Sequence, residues 1–359
     1  MEFKVNLSVE IAEIKFSNPL LLSEGPLTGS AELIRRAAQH SIGGIVTKSI
    51  RQQKALSPNP YMISYGKGLL NADWTDMGFD AWCRELRQLE IPMPLITNVA
   101  TNHVPPKQAA EFASILQDCG ASLVTFSDYE PENLIQAVSH ARKNVKVPIM
   151  VKLPPFLPKV GNICKRLEDV GVNCIAAMDA VGPGLDIDIE TGKPVLGSID
   201  GGGYLSGAPI FPLSLFYIAE ICKNVSVPVV GVGGVTNYKD VLKMIMAGAT
   251  GVGIVTGAIL KGLGLFDEIE KDLVTYLQER KINNLSEIRG KLHTHLADRE
   301  EHFSWRPHVD QYRCNGCGLC SRSCFKGAIS IADSTAKINL DMCSGCGVCA
   351  TVCGRRSIK

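Results

Sequence analysis

The stretch Pro228-Val-Val-Gly-Val-Gly-Gly-Val-Thr-Asn-Tyr-Lys-Asp-Val-Leu-Lys-Met-Ile-Met-Ala-Gly-Ala-Thr-Gly-Val-Gly-Ile-Val-Thr256 contains one complete strand–helix–strand unit. Pro228–Val232 and Gly251–Val255 are short runs without a polar face, as strands of a parallel sheet covered on both sides must be. Between them, Lys239–Met246 has the spacing of an amphipathic helix. The same alternation continues toward the N-terminus. Leu20–Ser23, Gly44–Thr47, Pro94–Asn98, Leu123–Ser127, Pro148–Leu153 and Cys174–Met178 are further apolar runs. Ser30–Gln39, Pro106–Asp118, Glu132–Asn144 and Phe211–Lys223 are further helical patterns. Eight strand–helix alternations between residue 18 and about residue 262 predict an α/β fold, a (β/α)8 TIM barrel. An open doubly wound sheet is the alternative, and eight repeats over this length disfavour it.

Composition agrees with a globular protein. The chain has 359 residues, 45% hydrophobic and 20% charged, which excludes a mostly disordered chain. Its 37 basic and 36 acidic side chains leave a net charge of +1, so no nucleic-acid or membrane-surface partner is expected. Aromatic residues are only 6%, too few for a base-stacking platform. No stretch of eighteen apolar residues occurs, and Met1–Glu10 lacks the pattern of a secretory signal. A cytoplasmic location is therefore expected. Five of the 13 cysteines (Cys83, Cys119, Cys164, Cys174 and Cys222) are scattered, and the other eight cluster within Cys314–Cys353. Clustered cysteines in a cytosolic chain point to metal rather than disulfides.

Two connections are too long for plain turns, Ser49 to about Gly78 and Ala180 to Pro212. In a barrel they follow strands 2 and 6 on the catalytic face, where long loops usually carry function. After a helical pattern near Phe266–Arg280, four of the seven histidines (His293, His295, His302 and His308) fall in a polar stretch. Their spacing matches no metal motif, so 293–311 reads as a surface linker. The expected organisation is a barrel over 1–292, this linker, and a small domain over 312–359.

The small domain repeats one motif. Cys314-x2-Cys317-x2-Cys320-x3-Cys324 is followed by Cys343-x2-Cys346-x2-Cys349-x3-Cys353. This is the spacing of bacterial two-cluster ferredoxins, in which the fourth cysteine of each run ligates the other cluster. Two [4Fe-4S] clusters follow, one on Cys314, Cys317, Cys320 and Cys353, the other on Cys343, Cys346, Cys349 and Cys324. Two zinc sites are the alternative use of eight thiolates, and the doubled spacing favours iron–sulfur. Residues 312–359 carry seven Lys or Arg against two Asp. That excess offsets clusters bearing about −2 each when oxidised. A domain this small has little core and depends on its clusters for stability.

An electron wire needs a redox partner in the barrel. Val230–Gly234 and Ala249–Thr256 are glycine-rich turns after strands 7 and 8, where barrels often bind phosphate through backbone N–H groups. Lys48 ends strand 2 and Lys152 lies in strand 5. An inward lysine is costly unless it meets charge. It either forms a structural ion pair or faces a flavin ring.

These pieces together resemble the dihydroorotate dehydrogenase family, in the branch that includes the catalytic domain of dihydropyrimidine dehydrogenases. The resemblance covers roughly residues 15–292. It rests on Asn18-Pro-Leu and Gly25, Thr47-Lys48, Gly68-Leu-Leu-Asn71, Asn98-Val-Ala100, Val151-Lys-Leu-Pro154 and Ile187-Asp188. It continues through Lys193-Pro-Val-Leu196, Gly202-Gly203, Leu205-Ser-Gly207, Gly233-Gly234 and Ile288-Arg-Gly-Lys-Leu292. It implies FMN and a homodimer. By position, Lys48, Asn98 and Lys152 contact the flavin, and Ser206-Gly207 support its ring. Gly233-Gly234 with Val255-Thr256 hold the phosphate, and Ser23 and Gly25 approach through backbone. Val255 stands where the family often has Gly.

The substrate half departs from the family. Its Asn-x-Ser-Cys-Pro-Asn pattern reads Thr125-Phe-Ser-Asp-Tyr-Glu130, so Asp128 replaces the catalytic Cys and both asparagines are gone. The strand 6 Asn-Thr pair reads Asp179-Ala180, and a further substrate Asn reads Tyr65. Dihydroorotate is therefore not the expected substrate. Asp128 is either the proton-transfer group or a helix cap, Tyr65 is an alternative proton donor, and Asp179 either pairs with Lys152 or binds a substrate N–H or cation. Glu24 lies next to the flavin position and is equally open.

Three functions compete. The first is an FMN and iron–sulfur oxidoreductase acting on an activated C=C bond, or its saturated counterpart, in a small cyclic or pyrimidine-like molecule. No Gly-x-Gly-x-x-Gly fingerprint is present, so its electrons would come through a separate NAD(P)H-oxidising or ferredoxin-type partner. The second is an electron-transfer flavin/iron–sulfur subunit without its own substrate. The third is a phosphosugar-binding barrel joined to an unrelated ferredoxin domain.

Overall fold

Eight short strands, each buried along its whole length, are β1 (Leu20–Leu22), β2 (Gly44–Val46), β3 (Leu95–Ala100), β4 (Leu123–Ser127), β5 (Ile149–Leu153), β6 (Cys174–Ala177), β7 (Val229–Val232) and β8 (Gly251–Ile254). In this computed structural model, which describes residues 5–55, 59–75, 77–297 and 305–359, they close into a parallel barrel. Closure is made by β8 pairing with β1, where Gly253 stands opposite Leu21. The open doubly wound alternative is thereby excluded. The quoted unit behaves as its pattern predicts. Asn237 caps the helix Tyr238–Met246 by accepting from the amides of Lys239 and Asp240.

Strand alternation sorts the core into two layers. Leu20, Leu22, Ile45, Val124, Phe126, Ile149 and Val151 point outward into the shell of helices. Leu21, Val46, Ile96, Leu123, Met150, Cys174 and Val230 fill the barrel, and Ile11 and Phe16 of the N-terminal hairpin (Val9–Ile11 and Ile14–Phe16) join them. Two residues further along five of the strands the inward positions turn polar, while β6 and β7 continue with Ala176 and Val232. Leu21 leads to Ser23, Val46 to Lys48, Ile96 to Asn98, Leu123 to Thr125 and Met150 to Lys152. The apolar floor thus sits directly beneath a polar layer.

The two long connections are not irregular loops. They supply Met62–Tyr65, Gly68–Asn71, Val181–Gly184 and Gly203–Gly207, which pair as a four-stranded antiparallel sheet. Tyr204 lies opposite Asn71 and Gly207 opposite Gly68. A Cβ on Gly68 would strike the Ser206 carbonyl at 2.2 Å, so the two backbones meet only because that position is glycine.

The second compact unit begins at His295, after a first unit that ends at Thr294. In it, Ile329–Ala332 pairs with Thr335–Ile338, and two short helices, Leu319–Arg322 and Val348–Thr351, each follow a left-handed glycine. Cys320, Ile329, Ala336, Cys349 and Ile358 form its small core. The stretch expected to be a linker carries structure at both ends. Lys291–Ala297 is helical, and Val309 bridges to Ile358. His293 meets the Ala247 carbonyl through Nε2 at 2.9 Å, and His302 lies outside the described residues. Among the described residues, no helix is long and apolar enough to cross a membrane.

Phe79 and Phe112 stack with ring centroids 3.8 Å apart, locking the helices Phe79–Leu86 and Pro106–Asp118 together. Phe112→Ala is expected to cost about 3–5 kcal/mol. Urea unfolding of the barrel should show it as a lowered midpoint with the slope unchanged.

Candidate active site

A cavity of about 280 Å3 opens at the C-terminal ends of the barrel strands. The polar layer forms its floor and the antiparallel sheet contributes its roof. Among the residues expected at a cofactor site, Gly25, Lys48, Lys152, Ser206, Gly207, Gly233, Gly234, Val255 and Thr256 all line it. Ser23 and Asn98 are fully buried just behind. The Asn98 amide group donates to Ser49 Oγ at 3.2 Å, while its Oδ1 is buried with no partner.

One wall is built of glycine. Gly233 and Gly234 have φ of 117° and 83°, and a Cβ on Gly234 would lie 2.7 Å from the Phe211 backbone. A Cβ on Gly253 would strike Ser23 Oγ, and one on Gly25 would strike Val255. Opposite, Thr256 Oγ1 donates to Ser206 Oγ at 2.9 Å, tying β8's end to the roof.

The two lysines have opposite electrostatic settings. Lys152 forms ion pairs with Glu24 and, at 3.2 Å, with Asp179. Burial alone would lower its pKa, but Asp179 and Glu24 outweigh that and hold the ammonium charged. Among the described residues Lys48 has no ion-pair partner. Burial lowers its pKa, with Asp73, Asp179 and Glu24 opposing only in part. Its ammonium lies 5.6 Å from the Trp74 ring centre.

Asp128 lines the cavity, yet both its oxygens are engaged. Oδ2 accepts from Thr101 Oγ1 at 2.6 Å and Asn133 Nδ2 at 3.0 Å, and Oδ1 accepts from the Glu130 amide at 2.8 Å. These bonds organise the start of the helix Pro131–Ala141, leaving the carboxylate an acceptor rather than a poised proton donor. Tyr65 is not brought to the cavity. It stands at the turn of the roof hairpin, 48% exposed. Asp179 does pair with Lys152, one of the two roles its position left open.

Loop residues complete the site. Asp73 pairs with Arg51 and, at 3.3 Å, with His103, and all three line the cavity. Burial opposes ionisation of Asp73, but bonds from His103 and Arg51 hold its carboxyl well below the usual range. Tyr129 and Tyr204 also line the cavity and stack on each other. None of these groups carried a sequence signal, because they meet only when the long connections fold over the barrel.

In the second unit, Cys324, Cys343, Cys346 and Cys349 surround one small cavity, joining the fourth cysteine of the first run to three of the second. Among the described residues no three Cys, His, Asp or Glu converge as a single ion requires. All eight cysteines are free. Backbone amides already point at sulfur: Ala336 N–H at Cys314 (3.3 Å), Gly345 N–H at Cys343 (3.4 Å) and Ser357 N–H at Cys353 (3.3 Å). Such bonds suit thiolate ligands.

Comparison with known proteins agrees with this geometry. Residues 6–277 match the family model "Dihydroorotate dehydrogenase", and residues 313–356 match "4Fe-4S dicluster domain". The chain is 30% identical to the dihydroorotate dehydrogenase B (NAD(+)) catalytic subunit of Pyrococcus furiosus, over 80% of this chain and 98% of the relative. It is 32% identical to the protein of the same name from Methanosarcina mazei, over 80% and 95%. A crystal structure of dihydroorotate dehydrogenase from Eimeria tenella in complex with ferulenol superposes with a TM-score of 0.67, at 17% identity, over 80% of this chain and 89% of that one. That likeness concerns the fold. The chain belongs to the dihydroorotate dehydrogenase family, as an oxidoreductase acting on CH–CH groups with a 4Fe-4S dicluster domain appended to its barrel.

Proposed function

We propose that the chain binds FMN in the barrel cavity and two [4Fe-4S] clusters in its second unit, and reduces or forms an activated C–C double bond in a small cyclic substrate. The observation that carries this reading is the convergence, on one cavity, of the polar inward layer and a glycine wall that tolerates no side chain. The orphaned Asn98 Oδ1 fits a ring donor, and Lys48 and Lys152 fit the electron-rich edge of a flavin. Gly233, Gly234 and the backbone of Gly253–Thr256 fit a phosphate. FMN, when bound, supplies both hydride and one-electron chemistry, which couples single electrons from the clusters to a two-electron change at carbon.

The chain's own groups divide the remaining work. Lys152, held by two carboxylates, is a fixed cation. Lys48, made more acidic by burial, and the Tyr129 hydroxyl bear protons toward the cavity. Dihydroorotate, which the relatives' names carry, is not the substrate in this reading, because the positions that would supply amides hold Thr125, Glu130 and Asp179. Electrons enter through a separate NAD(P)H-oxidising or ferredoxin-type protein, and the working form is a homodimer in the cytoplasm. The engagement of Asp128 favours the second reading, a relay subunit without a substrate. Anaerobic reduction with dithionite, followed by uracil, orotate and a panel of conjugated acids and cyclic imides, decides between them. Rapid flavin reoxidation by one compound establishes the enzyme and its substrate class, and none by any compound, with flavin and clusters both present, favours the relay.

Anaerobically prepared protein should hold one FMN and about eight iron atoms per chain. Gly234→Val should abolish flavin binding while leaving iron unchanged. Cys324→Ser should halve the iron, read by iron assay and by the loss of one cluster signal in electron paramagnetic resonance. Lys152→Met leaves Glu24 and Asp179 facing each other unpaired, and should lower stability by about 3–5 kcal/mol. Adding Asp179→Asn should recover much of that loss, read by denaturant unfolding of the two variants side by side.

A further inference from the structure

The side of the cavity left for substrate is aromatic and acidic. Tyr129, just past the end of β4, stacks on Tyr204 of the roof sheet, with ring centroids 5.3 Å apart and planes inclined by 28°. Both rings line the cavity, and burial raises the pKa of both hydroxyls above the ordinary tyrosine value. The pair presents a flat apolar edge with polar tips, as sites for planar rings do.

The charges beneath are not balanced. Glu24, Lys152 and Asp179 form one connected group with two negative charges and one positive. Asp179 is its more open member, with the side chain 32% exposed. Its Oδ1 accepts from Lys152 Nζ and from the Ala180 amide at 2.8 Å, and its Oδ2 meets no donor among the described residues. The other cavity carboxylates are committed, Asp73 to Arg51 and His103, Asp128 to Thr101, Asn133 and the Glu130 amide. Among the described residues that line the cavity, Lys48 is the remaining cation without an ion pair, and the flavin reading assigns it to the cofactor. The free acceptor facing a ligand is therefore a carboxylate oxygen beside a group of net charge −1. A ring carboxylate placed there meets like charge, while an N–H donor meets a charge-assisted partner.

We propose that the substrate is a planar nitrogen heterocycle bearing amino or amidine-type N–H donors, neutral or cationic, which lies against the Tyr129–Tyr204 pair and donates to Asp179, and that ring carboxylates are rejected. This rests on the flavin-enzyme reading above, because that reading places Lys48 with the cofactor.

The test uses two probes of one shape and opposite charge, benzamidine and benzoate, with orotate as a third. Each is titrated into the flavin-loaded full-length protein while the flavin difference spectrum is followed, and binding is measured again by calorimetry. Benzamidine should bind about tenfold or more tighter than benzoate and orotate. Asp179→Asn should erase most of that ratio while the protein retains its iron. Tyr204→Ala should weaken benzamidine without restoring benzoate. Benzoate or orotate binding as tightly as benzamidine overturns the proposal, as does a ratio that survives Asp179→Asn, or no binding of benzamidine at millimolar concentration. A protein that holds no flavin instead defeats the reading on which the proposal rests, and calorimetry then still reads the charge preference of the empty cavity.

Discussion

A buried ammonium survives inside a protein only where opposite charge meets it. Lys152 is such a group, and much of the upper barrel is arranged around it. Strand alternation on β5 sends Met150 to the apolar floor and Lys152 to the layer above, with no freedom to do otherwise once Ile149 and Val151 face the helices. Glu24, just beyond β1, and Asp179, just beyond β6, then reach the ammonium from two other strands. The three residues tie the end of β1 to the ends of the neighbouring strands β5 and β6, which the backbone ladder already joins at Lys152 and Leu153.

The roof sheet sets the other boundary. Its strands come from connections more than a hundred residues apart in sequence, and they meet at glycines, Gly68 against Ser206 and Gly207 against Gly68. Close backbone approach there brings Tyr204, Leu69 and Asn71 over the barrel and turns an open barrel end into a cavity. Loops placed on a rigid scaffold are where binding specificity is usually built. Here the scaffold side carries the residues proposed to hold the cofactor, and the loop side carries the aromatic and acidic groups Tyr204, Asp73 and Asp179.

The second unit follows a different logic. Its small core of five residues includes two of the cysteines, so sulfur and hydrophobic packing occupy the same space. Paired left-handed glycines, Gly316 with Gly318 and Gly345 with Gly347, recur in both cysteine runs with closely similar φ values. The repeat in sequence is thus a repeat in backbone conformation. Holding metal clusters and holding the fold are one task in a domain this small.

The barrel, its eight strands and the cysteine repeats were legible in the sequence because each depends on local pattern: apolar runs of the right length, helical periodicity between them, and fixed Cys spacing. Lys48, Lys152, Asn98 and the glycine turns were legible for the same reason, since a strand's alternation dictates which side chains enter the barrel. The roof sheet was not, because Val181–Gly184 and Gly203–Gly207 are glycine-rich and gain their order only by pairing across the chain. Nor was the fate of individual polar groups. Asp128 could have faced a substrate or capped a helix, and the structure gives it neither plain role: Glu130 is the N-cap of the helix Pro131–Ala141, and Asp128 is engaged just before it by Thr101, Asn133 and the Glu130 amide. Asp179 had two roles open to it, and only the position of Lys152 decided that its Oδ1 is engaged in an ion pair. Residue type and spacing determine which groups a barrel presents. Whether a presented group is free or engaged depends on neighbours that lie far away in sequence, and tertiary structure alone assigns those.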